Sequence, residues 1–242
     1  MSYFGWLFDP ANWTGSGGIP ARLVEHLGYV ALAMIIALVI ALPVGAWVGH
    51  TGRGGFLVVG SANALRALPT LGVLILLVTP FGLSIIGPLI ALVVLAVPPL
   101  LAGTYAGVRN VDPAVVDAAR GMGMRGGEVL WRVELPNALP LIIGGVRSAV
   151  LQVISTATIA AYVGLGGLGR YIFDGLAQRD FPQMIGGSLL VALLAIVVDL
   201  LLAALQKVIV SPGLQAAPRS GPRRLRAVPT TTTTRPAAAR AA

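Results

Sequence analysis

The chain contains no cysteine, which excludes disulfides, thiolate metal sites and a cysteine nucleophile. Charge is scarce as well. Only 11% of the 242 residues are Asp, Glu, Lys or Arg, against 56% apolar residues and a mean hydropathy of +0.86. A soluble core does not need so little charge, and the composition reads as a membrane protein. Lysine is nearly absent: Lys207 is the single one, and Gln206 rather than glycine precedes it. The Gly-Lys-Ser/Thr element of a phosphate-binding loop is therefore missing, and the chain does not bind ATP by that device. The two histidines, His26 and His50, are far apart and form no H-E-x-x-H. That spacing excludes a zinc protease, predicts no metal site, and leaves both histidines to be read as interfacial side chains. Sixteen arginines beside one lysine, with abundant Ala, Gly and Pro, suggest a high-GC bacterial genome.

The net charge of +8 is unevenly placed, since six arginines and no acid follow residue 210. The body of the chain is almost balanced, which argues against a nucleic-acid partner. Residues 1–24 carry Trp6 and Trp13 but no positive n-region ahead of a short apolar core. They read as an extracytoplasmic or interfacial arm rather than a cleaved signal peptide. Leu27 to Val48 is uncharged and long enough for a bilayer core of about 30 Å. Ala67 to Val108 is also uncharged, and is broken by Pro80, Gly82, Gly87 and Pro88. Five spans are expected, at about 27–48, 57–78, 85–106, 139–162 and 184–205. Residues 209–242 are expected to form a disordered basic tail for want of apolar residues.

Five spans put the termini on opposite sides. With the tail inside, twelve basic residues fall on the cytoplasmic side and only Arg22, Arg170 and Arg179 outside. The excess of basic residues on retained loops predicts a multi-pass protein of the bacterial plasma membrane, N-terminus outside and C-terminus inside. That orientation makes the charged loop 107–138 cytoplasmic.

Within the loop, residues 117–136 read DAARGMGMRGGEVLWRVELP. Asp112-Pro113 is an N-cap and first-turn pair that starts a helix. Gly121, Gly123, Gly126 and Gly127 allow a sharp turn, and Glu128 to Glu134 can form a second helix ended by Leu135-Pro136. Two short helices joined at a glycine make a knob, with Met122, Met124, Leu130 and Trp131 as apolar contacts. The spacing of Asp117, Ala118, Ala119, Gly123, Leu135 and Pro136 resembles the EAA loop by which ATP-binding-cassette importer permeases grip their ATPase. Asp117 departs from the family's usual glutamate.

Three further stretches are similar to permeases that import glycine betaine, choline, carnitine and related osmoprotectants: NALRALPTLG at 63–72, PPLLAGTYAGV at 98–108 and STATIAAYVGLGGLGRYI at 155–172. The resemblance covers about residues 25–208. It implies an all-α integral membrane fold, the five-helix type I importer core with cytoplasmic coupling helices. It also implies a transport subunit that is not itself an enzyme, with ATP and Mg on a partner chain. The implied assembly has two ATPase subunits, an extracytoplasmic substrate-binding protein and a second permease subunit, identical or different. In that family Asp117, Ala118, Ala119, Gly123, Met124, Leu135 and Pro136 fall in the coupling element. A permease for another small solute such as an amino acid is the alternative, with an ion-coupled secondary transporter behind it.

Gly164, Gly166 and Gly169 satisfy G-x-G-x-x-G, but they follow a membrane helix instead of a strand, so a dinucleotide site is not expected. With Gly167 they read as a tight outer loop packing on neighbouring helices, and the resemblance implies that it helps close the pathway. Gln152, Ser155, Thr156 and Thr158 are candidates for the translocation path, with helix-to-helix hydrogen bonding as the alternative. Arg66, Arg147 and Asp199 are the charges within or near the spans, and such groups pair or face water. An Arg147–Asp199 ion pair between the fourth and fifth spans is one expectation, and snorkelling is the other.

Overall fold

The computed structural model describes residues 5–82 and 84–210, without the side chains of Asn63, Leu65 and Arg66. Of the tail expected at 209–242, residues 211–242 lie outside the described residues, as does the Arg66 side chain, while Ile209 is the last residue of a helix. Among the described residues the chain forms helices and no strand.

A short helix α1, Gly5–Phe8, leads into a 3-10 turn in which the Asp9 carboxylate accepts from Ala11 N–H. The 33-residue helix α2, Ile19–Thr51, starts at Pro20 in its first turn and stops where Gly52 adopts φ +69°, a left-handed conformation favoured by glycine. It begins well before Leu27, so Arg22 and Glu25 lie within it. They are tolerated there because Arg22 Nη1 donates to Glu25 Oε2 at 2.9 Å.

The span expected at 57–78 is two helices, α3 at Gly55–Ala67 and α4 at Thr70–Val78. Pro69 is the cause: the residue before a proline avoids the helical region, and Leu68 is extended at ψ 136°. Among the described residues four helical runs, not five, are individually long and apolar enough to cross a membrane: Ile19–Thr51, Ile86–Arg109, Gly126–Val163 and Phe181–Ile209. Thr70–Phe81 is a shorter apolar segment.

Helix α5, Ile86–Arg109, carries Pro98 and Pro99 in its interior. The charged loop forms α6, Pro113–Gly121, and α7, Gly126–Val129. A π-turn at Leu130–Glu134 then runs without a break into α8, Leu135–Ala160. Leu135-Pro136 therefore does not end a second helix: Pro136 lies inside one continuous helical run, Gly126–Val163. Helix α9, Gly169–Gln178, and helix α10, Phe181–Ile209, complete the bundle.

Helices α2, α5 and α8 form the centre, and small residues bring their backbones together. A methyl group added at Gly103 would lie 2.7 Å from the Gly145 Cα, and one at Gly107 would lie 2.9 Å from the Ala138 carbonyl oxygen. Close approach through glycine and alanine is how helices associate where apolar burial drives nothing, as in lipid. Helix α10 packs on α8 and α9 and leaves Leu193, Ile196, Val197, Leu200 and Leu201 exposed, the apolar surface expected of a helix facing hydrocarbon.

Candidate functional site

The loop at one end of the bundle is built as a closed turn. Asp112 Oδ1 accepts from Ala114 N–H at 2.9 Å, and Pro113 occupies the first turn of α6. At the other end of α6, Gly123 N–H donates to the Arg120 carbonyl at 2.9 Å and Met124 N–H to the Ala119 carbonyl at 3.2 Å. This crossed pair needs a left-handed residue between the helix and its exit, and Gly123 has φ +87°. Helix α7 is started by Glu128, which accepts from Arg125 N–H at 3.0 Å. Val115, Met122 and Trp131 stand 45%, 74% and 72% exposed, while Ala119 and Val129 are buried beneath them. Asp117, Ala118 and Pro136 are exposed, and Met124 and Leu135 are half-buried.

Beneath the loop, Ala46 of α2, Val108 of α5 and Ala138 of α8 make a small separate core. His50 Nδ1 lies 2.6 Å from Glu134 Oε2 at its edge. His50 is thus a hydrogen-bonded partner of a buried carboxylate rather than an interfacial side chain. His26 is also not interfacial, being fully buried.

In the last third of α8 the candidate path residues divide. Gln152 and Ser155 are exposed, Thr158 is half-buried and Thr156 is buried. Ser155, Thr156 and Thr158 hydroxyls donate to the carbonyls of Leu151, Gln152 and Ile154, four residues back on the same helix. They are satisfied locally and do not bond between helices. Gln152 and Ser148 line a cleft of about 420 Å³ with Leu68, Thr70, Leu95, Pro98 and Pro99. The break at Pro69 and the two prolines of α5, which remove two helical N–H donors, thus face the polar stripe of α8.

Arg147 and Asp199 join α8 to α10 by two parallel bonds, Nε to Oδ1 and Nη2 to Oδ2, the latter 2.6 Å. A planar fork on a carboxylate is the strongest form such a pair takes. Replacing either residue by alanine leaves its partner unpaired in an apolar bundle, so membrane-inserted protein should fall at least several-fold, and the swap R147D/D199R should restore part of it. Quantifying detergent-extracted monodisperse protein for the three variants checks this; unchanged yields in both single variants would contradict it.

The opposite end of the bundle is held by Glu25. Its carboxylate accepts from Arg22, from the Tyr29 hydroxyl at 3.0 Å and from Gly167 N–H at 2.8 Å. Gly164 and Gly167 have φ of +95° and +86°. An added Cβ at Gly166 would fall 1.8 Å from Glu25 Oε1, and one at Gly169 would fall 2.2 Å from the Thr158 carbonyl oxygen. All four loop glycines are therefore accounted for by turn geometry or close approach. Next to them Tyr171 donates its hydroxyl to the Gly17 carbonyl at 2.6 Å, stacks edge-on against Trp6, and has its phenol pushed up by burial, so it stays a neutral donor. The N-terminal arm is thereby docked on the same end.

Sequence reasoning did not find Arg22, Glu25, Tyr29, His50 or Glu134. A signal existed for the first three: they sit at i, i+3 and i+7 on one face, at the start of an uncharged run.

A family model described as "Binding-protein-dependent transport system inner membrane component" matches residues 33–211. The chain is 33% identical to the glycine betaine/carnitine/choline transport system permease protein OpuCB of Bacillus subtilis (strain 168) over 202 residues, 84% of this chain and 93% of that one. It is 33% identical to the osmoprotectant import permease protein OsmW of Salmonella typhimurium (strain LT2) over 205 residues, 83% and 95% of the two chains. Among solved structures, the inward-facing MetNI methionine ABC transporter superposes with a TM-score of 0.70 at 19% identity, over 87% of this chain and 100% of that one. An amino acid ABC transporter gives 0.61 at 21% identity, over 78% and 91%. These structures share the fold, and with the family match over most of its length the chain belongs to the binding-protein-dependent transport system inner membrane components.

Proposed function

We propose that the chain is the membrane-spanning subunit of an ATP-driven importer of osmoprotectants of the glycine betaine, choline or carnitine kind. The observation that carries this reading is the loop at 113–134: a rigid turn fixed by Gly123, with Val115, Met122 and Trp131 exposed on it. A soluble protein surface seldom shows such residues together without a partner. In this reading the loop is cytoplasmic and seats in a groove of an ATPase, which binds ATP and Mg and hydrolyses the nucleotide on a separate chain. Two such ATPases, a second permease subunit and an extracytoplasmic substrate-binding protein complete the importer. The N-terminus is outside, and the chain itself needs no cofactor.

ATP binding on the partners moves the loops, and the bundle alternates between two states biased by a ligand on another chain. The cleft bearing Ser148 and Gln152 supplies polar groups along the route, and the Glu25-bound loop closes the outer end. Selectivity among solutes is assigned to the binding protein, since a quaternary ammonium is best recognised by an aromatic cage, and among the described residues the cleft lining contains no aromatic side chain. Labelled glycine betaine, choline and carnitine offered to cells deleted for this chain and then complemented test the reading. Complementation should restore uptake of at least one by tenfold or more. Restoration confined to an amino acid would favour the alternative permease reading.

A further inference from the structure

We propose that His50 and Glu134 are the positioning pair that makes the first long helix move with the docking loop, so that they couple ATP hydrolysis to transport without touching either ATPase or solute. The proposal rests on the reading of residues 113–134 as the ATPase-docking loop. Glu134 is 5% exposed, a carboxylate taken out of water, and its contact with His50 Nδ1 at 2.6 Å offsets that cost. A carboxylate accepts, so Nδ1 carries the proton.

The fold goes out of its way to put it there. The buried stripe of α8 runs Glu134, Ala138, Gly145, Ala149, Val153 in steps of about one or two turns. The buried residue before it is Val129, five positions earlier and not four. The π-turn at Leu130–Glu134, closed by Leu135 N–H to the Leu130 carbonyl, supplies the additional residue. Without it, Val129 and the loop before it would be turned by roughly 100° relative to Glu134 and the α8 stripe. Insertions of this kind are frequent at functional positions.

On the other side, His50 follows Ala46 by one turn. Ala46 and Ala138 share the small core under the loop, so His50 and Glu134 meet as the next contact of the same antiparallel seam. The pair joins the root of the loop to the last turn of α2. Helix α2 in turn carries Glu25, which holds the glycine loop at the far end, roughly 37 Å away along the helix axis. The route loop, Glu134, His50, α2, Glu25, Gly167 is continuous in covalent and hydrogen-bonded contacts. None of its polar members is needed to form the exposed docking surface.

The test uses the full importer in lipid nanodiscs, with ATPase copurification and binding-protein-stimulated ATP hydrolysis measured on the same preparations. H50A and E134A should copurify the ATPase normally but lose at least tenfold of the stimulation by the glycine betaine-loaded binding protein, and H50A/E134A should be no worse than either. H50N, whose amide N–H can stand where Nδ1–H stood, should recover most of the stimulation. Wild-type stimulation in H50A would overturn the proposal. So would loss of copurification in H50A, because the pair would then shape the docking surface itself, and so would an H50N as defective as H50A. Failure of the docking reading is separate: there the intact protein would not copurify the ATPase.

Discussion

Replacing Gly123 with valine should abolish copurification of the ATPase and cut uptake by ten- to thirtyfold, while leaving the bundle folded. Nothing lies within 4 Å of the position an added Cβ would take, so the defect is not a clash. It is the backbone: φ is +87°, where a residue with a Cβ costs about 1–2 kcal/mol and a β-branched one more. The crossed bonds from Gly123 and Met124 to Arg120 and Ala119 would open, and Met122 would leave its place on the exposed face. Asparagine tolerates the left-handed region best among the other residues. G123N should therefore keep most of the copurification that G123V loses. Pull-down of tagged permease with its ATPase, quantified for both variants, checks this, and equal behaviour of the two would contradict it.

The second large effect is expected at the far end. G169A places a methyl group 2.2 Å from the Thr158 carbonyl oxygen and 2.8 Å from the Ala161 side chain. Backbone cannot yield as a flexible side chain can, so the loop must lift from the end of α8, and overpacking of this kind typically costs about 1–3 kcal/mol or more. Gly167 would then withdraw its N–H from Glu25. Uptake should fall at least tenfold with the ATPase still bound, unlike G123V, which loses both. G166A should be milder, because its methyl group meets the carboxylate end of Glu25 rather than backbone. Uptake assays paired with pull-downs discriminate; retained uptake in G169A would show that this loop is not part of the closure.

Much of this was legible before any coordinates. Uncharged runs gave helices, Asp112-Pro113 gave the start of α6, and the glycines around 123 gave the turn, because each rests on local sterics or capping. Pro69 was visible but was absorbed into a span, although the restriction on Leu68 already argued for a break. The start of α2 was misplaced because Arg22 and Glu25 look expensive in an apolar helix; only the fold supplies Gly167 and Tyr29 as further partners. His50 and Glu134 are 84 residues apart, and their meeting depends on how α2 and α8 pack, which no spacing rule within one helix predicts. Pro136, read as a stop, lies in a continuing helical run.

The most direct measurement of the central claim is solute uptake into proteoliposomes with and without the partner ATPase, in the presence of the binding protein. The account predicts ATP-dependent uptake of glycine betaine or a related solute only when permease, ATPase and binding protein are together. Uptake driven by an ion gradient in liposomes holding this chain alone would contradict it.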